Sequence, residues 1–267
     1  MIAPAVTNAA PVASAYLAAL IDGDRHRAIA VLTDAFDEGC PLLVLYADVI
    51  EWAQHEIGRG WAAGTISVAE EHVATAISQY ALNVLYHRAP APMSGAGLLA
   101  VIGGVRGEMH SLGPHLIADA FEAQGWSVRY LGSDVPDGDI VQIVEDLRPA
   151  LVGLSATMSE NLDVVQGLIR DLRWNGYRDP VLVGGAAFTG ADTDAWRRVG
   201  ADVLCTDVRA AAAQAALVAT QRSQPTDYSS ESCSSGTIGF ARRSAMPTSR
   251  LIALTASLIS LSRAAGR

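Results

Sequence analysis

Leu98-Leu99-Ala100-Val101-Ile102-Gly103, followed closely by Gly107-Glu108-Met109-His110-Ser111-Leu112-Gly113, is the stretch from which the fold follows. An apolar run of strand length feeds a glycine-rich loop, and a helical pattern opens at Leu112. A strand that hands over to a helix in this way delivers its loop to the carboxyl edge of a sheet, where open α/β folds bind their ligands. His110 therefore belongs to the rim of the sheet and not to its interior. Glu108, two residues earlier, is near enough for its carboxylate to hold one ring nitrogen and leave the other free for a metal or a substrate. Gly113 lets a bulky group approach the backbone. Taken alone, the heptapeptide is explained equally well as a satisfied surface histidine on an ordinary loop. Residues far away in sequence decide between the two.

Working outward toward the C-terminus, short apolar strands are predicted at 98–102, 127–131, 150–154, 181–183 and 202–205. Helical patterns separate them at 112–124, 137–147, 160–174 and 192–199, with a last one at 209–220. Five strands alternating with helices imply a parallel, doubly wound sheet, because parallel neighbours need crossovers and right-handed crossovers cover both faces. Toward the N-terminus, 89–97 is a linker carrying Pro90, Pro92, Gly95 and Gly97. Before it the apolar residues recur at three and four, giving four helices at 12–21, 25–38, 42–59 and 68–87. Gly23-Asp24, Gly39-Cys40-Pro41 and 60–65 are the breaks, and Ser67-Val68-Ala69-Glu70 is a capping box that starts the fourth helix. Short connections of this kind make an antiparallel bundle. The fold class is therefore α/β: a helical bundle cap at 10–88, a Rossmann-like domain of flavodoxin-like strand order 2-1-3-4-5 at 97–221, and a tail at 222–267 whose Ser, Thr and Pro content predicts disorder. Residues 1–9 are expected to fray, and 251–261 carries a short amphipathic pattern.

Composition sets the bounds. Half of the 267 residues are apolar, ample for a core. The 19 basic residues are all arginine. The net charge of −9 is unevenly spread: from Arg222 onward six arginines face two acids (+4), leaving 13 arginines against 26 acids (−13) before it. So acidic a body argues against direct nucleic-acid binding, which depends on clustered positive charge. Cys40, Cys205 and Cys233 lack metal-site spacing and fit a reducing, cytoplasmic setting better than a disulfide framework. No signal peptide and no membrane span are expected.

In the predicted strand order, strands 1, 3 and 4 are neighbours, and three loops converge at their carboxyl ends. The first carries His110; the second carries Ser155-Ala156-Thr157, two hydroxyls with a small neighbour; the third is Gly184-Gly185-Ala186-Ala187. One offers a ligand, one offers hydrogen bonds and one an absence of side chains, which suits a long flat group threaded beside the sheet. At these residues the chain resembles the cobalamin-binding module shared by methionine synthase, corrinoid methyl carriers and cobalamin photoreceptors, over about 10–220. The family's Asp-x-His-x-x-Gly is matched by Glu108, His110 and Gly113, with Glu for Asp; its Ser-x-Leu is matched at Ser155, with Thr157 in the Leu position; its Gly-Gly is matched by Gly184 and Gly185. The resemblance implies that His110 Nε2 ligates cobalt from below while Glu108 orients the ring from Nδ1. Neutral imidazole is a good cobalt ligand, and a carboxylate on its far nitrogen raises its basicity.

A second signal lies in the bundle. Trp61 is followed after nine residues by Glu71-His72. By spacing alone these are a helix-end aromatic and a favourable first-turn acid. Beside the His110 motif they resemble the Trp-nine-Glu-His signature of cobalamin photoreceptors of the carotenogenesis-repressor type and of related antirepressors. The resemblance implies that Trp61 packs over the upper axial group and that Glu71 and His72 line the same cavity. Where that family carries a cobalt-capturing His after the Trp, this chain has Ala62, and the sequence does not say whether His72 or His55 substitutes. Only about nine residues precede the bundle, so no winged-helix domain is expected there.

His26, His55, His87 and His115 sit in helical patterns without ligand spacing, no Walker loop occurs, and Gly103-Gly104 lacks the rest of a dinucleotide fingerprint. The resulting expectation is a cobalamin-binding sensor or regulator, preferring adenosylcobalamin and acting through a protein partner. The rival is a corrinoid methyl carrier holding methylcobalamin for a methyltransferase; a mutase subunit is weaker, since that module lacks such a bundle. The sequence leaves room for a homo-oligomer.

Overall fold

Alternation along the first strand sorts the two faces of the sheet. In β1 (Leu99–Gly104), Ala100 and Ile102 join one apolar cluster and Val101 the opposite one, as a period of two requires. The computed structural model describes residues 9–89, 97–190 and 192–223. The expectations for 1–8, 90–96 and 224–267, including the disordered tail, the amphipathic pattern and Cys233, fall outside the described residues.

β1 is followed by α6 (Leu112–Glu122), β2 (Ser127–Tyr130), α7 (Asp137–Leu147), β3 (Leu151–Ser155), a 3-10 turn (Ser159–Asn161), α8 (Leu162–Trp174), β4 (Val181–Gly184), α9 (Ala186–Thr189), α10 (Ala195–Arg198), β5 (Val203–Cys205) and α11 (Val208–Ser223). The sheet has five parallel strands in the order β2-β1-β3-β4-β5, as expected. Val101, Val152, Val181 and Val183 pack against Ile140, Val144, Val165 and Ile169 of α7 and α8. Ala100, Ile102, Leu151 and Leu182 pack against Phe121, Ala211 and Ala215 of α6 and α11.

The bundle consists of α1 (Ala10–Ile21), α2 (Arg25–Asp37), a third rod and α5 (Val68–Arg88). Ser67 and Glu70 form the capping box read from the sequence, with Ser67 N donating to Glu70 Oε2 at 2.7 Å. The third rod departs from expectation. It is built of α3 (Leu42–Val44), a π-helical turn (Leu45–Glu51) and α4 (Trp52–Ala62). A π turn widens the residue spacing, which periodicity at 3.6 does not register. It sends Tyr46, Asp48 and Glu51 toward the sheet domain. The rod also runs on through Trp61 and Ala62, which therefore belong to a helical last turn and not to the 60–65 break.

Smaller corrections share a local cause. The helix expected at 192–199 shrinks to α10 because Asp192 draws the backbone into a turn, its carboxylate accepting from Asp194 N at 3.2 Å. α11 extends into the expected tail as far as Ser223, with Arg222 in its last turn paired to Asp179.

Bundle and sheet domain share one core: Leu112, Leu116, Ala120 and Val208 join the cluster formed by α1, α2, α5 and the third rod. Polar links cross the same seam. Tyr46 OH donates to Asp119 Oδ2 (3.3 Å), Tyr86 OH to Glu122 Oε2 (2.5 Å), Val208 N to Glu51 Oε2 (3.2 Å), and Arg209 pairs with Asp48. Among the described residues no helix is long and apolar enough to cross a membrane.

Candidate functional site

Gly104, Ser155, Gly184 and Cys205 form one register row across the carboxyl ends of β1, β3, β4 and β5. The loops that leave this row build the site. Glu108 is fully buried (0 % exposed) although it lies in a loop. Its Oε1 accepts from His110 N (3.0 Å) and contacts His110 Nδ1 (2.5 Å). Its Oε2 accepts from Thr157 N (2.5 Å), Met158 N (3.4 Å) and Asn161 Nδ2 (3.2 Å). The carboxylate thus ties the β1–α6 loop to the β3–α8 loop. A buried carboxylate is tolerable only when hydrogen-bonded throughout, and this one is.

Burial by itself would raise the Glu108 carboxyl. The hydrogen bonds from the His110 ring, Thr157 N and His110 N together outweigh it and hold the group at about 2. The same contact raises the His110 imidazole, against the effect of burial, with the charges of Glu108 and Glu71 adding to the rise. An ionised carboxylate accepts only, so Nδ1 carries the proton and the Nε2 lone pair is left to act as a donor to a metal. No described residue bonds Nε2, and the side chain is 55 % exposed.

Thr157 acts through its backbone, and Ser155, buried, ends β3. Gly184 and Gly185 are required by the chain itself. A Cβ on Gly184 would lie 3.0 Å from Cys205 O, and one on Gly185, at φ +101°, would lie 2.3 Å from Ala156 O. Beside them a groove of about 510 Å³ is lined by Thr157, Met158, Leu162, Ala186, Ala187 and Gly190. At Gly113 a Cβ would meet open space.

The bundle reaches this loop through α5. Gln79 Nε2 donates to Ser111 Oγ (2.9 Å), and the Glu71 carboxylate is close enough for its charge to bear on the His110 ring. Glu71 Oε2 contacts His72 Nδ1 (2.7 Å), leaving that ring 73 % exposed. Behind Glu71 runs a polar chain: Thr75 Oγ1 at 2.8 Å, then Gln54, whose Nε2 donates to Ser78 Oγ (2.7 Å), itself 2.9 Å from Tyr16 OH. Trp61 is 52 % exposed at the end of α4. Thus Glu108, His110 and Thr157 come together, the Glu71 charge bears on His110, His72 touches Glu71, and Trp61 makes no hydrogen bond to this cluster among the described residues. His55 is exposed on α4. Asn161, Gln79 and Asp134 escaped the sequence reading. Asn161 and Gln79 carry no local signal, whereas Asp134 stands in a Gly-Ser-Asp-Val-Pro turn.

Residues 98–216 and 12–86 each match a family model described as a B12 binding domain. The dimethylamine corrinoid protein 3 of Methanosarcina acetivorans is 30 % identical over 148 residues, 54 % of this chain and 68 % of that one. The chain belongs to the B12-binding family. A second relative of the B12-binding chain is the HTH-type transcriptional repressor CarH of Myxococcus xanthus, 33 % identical over 160 residues, 58 % of this chain and 52 % of the repressor. The chain spans about half the length of that repressor. In fold it is similar to the solved monomethylamine corrinoid protein of Methanosarcina barkeri, with a TM-score of 0.70 at 20 % identity, covering 79 % of this chain and all of that one.

As a member of this family the chain is a cobalamin-binding protein. Its own residues fit the group: an imidazole with Nδ1 locked and Nε2 unbonded among the described residues, on loops that also carry exposed Met109 and Met158, both apolar and suited to the face of a large macrocycle.

Proposed function

We propose that this protein is an adenosylcobalamin-dependent, light-responsive sensor that acts through a protein partner, with His110 as the lower cobalt ligand. Bound adenosylcobalamin supplies a cobalt–carbon bond that light cleaves. The observation that carries the reading is the position of Glu71: a carboxylate anchored by Thr75 on the bundle, paired with His72, bears on the imidazole of the sheet domain. A carboxylate, an imidazole and the exposed ring of Trp61 suit a large polar adenosyl group better than a methyl. Stacking and hydrogen bonding each contribute on the order of 1 kcal/mol, enough for a preference of several-fold. We read residues 10–88 and 97–221 as two domains whose seam a partner senses. Residues Gly113, Ser155, Thr157, Gly184 and Gly185 are assigned to the cofactor's lower side.

The second reading, a corrinoid methyl carrier, is favoured by the extent to which the chain covers its corrinoid relative. One experiment separates the two. The protein is loaded with adenosyl- or methylcobalamin in the dark, affinities are compared, and size-exclusion profiles are recorded before and after illumination. A several-fold preference for the adenosyl form and a light-dependent profile are expected, together with loss of histidine ligation in His110→Ala. Preference for the methyl form, an unchanged profile, and methyl transfer to a thiol or tetrahydrofolate by an added methyltransferase overturn the sensor reading. An unchanged spectrum in His110→Ala overturns the ligand assignment.

A further inference from the structure

Asp134 lies in the loop between β2 and α7 and is exposed, yet it adopts φ +56°. Among the described residues the other non-glycine with positive φ is Arg148, which caps the end of α7, a common place for that conformation. Asp134 caps nothing of its own. Its Oδ1 accepts from Gly107 N at 2.8 Å, and its backbone N donates to Glu108 O at 2.9 Å. Asp enters the left-handed region more readily than most L-residues, so what marks this one is the pair of bonds that fix it there. Here both bonds reach across to the neighbouring loop, one on each side of the Gly107–Glu108 segment.

The approach of the two loops is built in. A Cβ on Gly103 would fall 3.1 Å from Leu131 Cβ, and one on Gly104 would fall 3.2 Å from Ser133 Cα. These two glycines, without a role in the sequence reading, let 131–134 lie flat against β1 and its loop. Gly104 N then donates to Gly132 O at 2.8 Å. Glu108 is consequently held twice: its carboxylate by Thr157 N and Asn161 Nδ2 from the β3 side, its main chain by Asp134 from the β2 side. The His110 imidazole is hydrogen-bonded to the residue these grips hold.

We infer that Asp134 is a positioning residue for the His110 ligand, fixing the Gly107–Glu108 backbone so that the Glu108 carboxylate meets His110 Nδ1 and aims Nε2. The inference rests on the reading of His110 as the cobalt ligand. An ordinary turn residue at this φ needs only to tolerate it, which Gly does; a positioning residue must also supply the acceptor, which Asn does and Gly does not.

The test uses the full chain and the variants Asp134→Gly and Asp134→Asn. In cobalamin-free protein, amide exchange at Gly107 is followed by NMR; in protein loaded with adenosylcobalamin in the dark, the histidine-ligated fraction and the cofactor's dissociation rate are read from absorbance. Asp134→Gly is expected to speed exchange at Gly107 by about tenfold and to release cobalamin roughly three- to tenfold faster, while Asp134→Asn stays within about twofold of the native protein in both. Native ligation and release in Asp134→Gly, or equal loss in Asp134→Asn, overturn the inference even if Gly107 exchanges faster. Native protein without histidine ligation, or ligation that survives His110→Ala, removes instead the reading beneath it.

Discussion

Replacing Glu108 with alanine is expected to destabilise the cobalamin-free chain by about 3–5 kcal/mol and to abolish histidine ligation of added cobalamin. The cost follows from what the carboxylate leaves behind. Thr157 N, Met158 N and Asn161 Nδ2 lose their shared acceptor, and His110 loses the group that sets its tautomer. Glu108→Gln separates shape from charge, because its amide oxygen replaces one acceptor while its NH2 is forced against an N–H donor. It is expected to lose roughly half as much stability and to weaken cobalamin retention by about 10- to 100-fold. Urea denaturation of the cobalamin-free proteins measures the first effect, and dissociation kinetics after loading measure the second. A stability within 1 kcal/mol of native for Glu108→Ala would show that the loops do not depend on this carboxylate, contrary to its saturation with donors.

The pH dependence of this contribution has a definite sign. Glu108 is held at about 2, below its ordinary range near 4.5, so its stabilisation is present above about pH 4.5 and disappears as pH falls through about 2. Its partner works the opposite way. The His110 imidazole is raised, so its share is present below the ordinary histidine value and is lost as pH rises through the folded value. The two describe one shared contact and are not added.

A larger and opposite pH effect is expected at the seam between bundle and sheet. Asp119 is 6 % exposed; among the described residues its carboxylate accepts one hydrogen bond, from Tyr46 OH, and His115 Nε2, at 3.7 Å, is too far to be another. Burial raises its carboxyl to about 7 despite that bond, with the Glu122 charge adding to the rise. His115 offers no compensating cation, because burial lowers it and it stacks on Tyr130 at 4.8 Å. Glu51 is likewise raised to about 7 by burial, with Asp207 and Asp48 pushing it up and Val208 N and Arg209 pulling it down. For acids raised in the folded state, the folded protein holds the extra protons between about pH 4 and pH 7. Stability is therefore lost as pH rises across that window and is level above it. A shift of this size amounts to a few kcal/mol for each group, at about 1.4 kcal/mol per unit, before relaxation of the seam reduces it. Asp119→Asn and Glu51→Gln are each expected to raise stability at pH 8 by about 1–2 kcal/mol and to flatten the slope, the double variant most of all. Thermal unfolding of the cobalamin-free proteins at pH 5.5, 6.5, 7.5 and 8.5 checks this. Parallel pH profiles for native protein and the double variant would mean that the seam carries neither proton.

What the sequence determined by itself is the part of the molecule governed by local periodicity and local chemistry. The continuous apolar runs at 98–102 and 150–154 predict strands buried on both faces, and Ala100 and Val101 indeed belong to opposite clusters. The capping box at Ser67 is a four-residue interaction and was legible as such. Parallel pairing follows from strands separated by helices, which is how three distant loops were placed at one edge. Even the Glu108–His110 contact was foreseeable, since a carboxylate two residues from an imidazole needs no tertiary help to reach it.

What only the tertiary structure decided depends on groups far apart in sequence. That Glu108 is fully buried, and shared with Thr157 and Asn161, arises from the packing of two loops about 50 residues apart. The π turn at Leu45–Glu51 forms where bundle and sheet domain meet, so tertiary packing overrides the helical period there. In sequence, Gly103 and Gly104 are only an incomplete fingerprint, and Asp134 carries no assigned role. Their roles come from the distance between neighbouring loops, set by strand spacing and sheet twist, and no residue-by-residue pattern along the chain encodes such a distance.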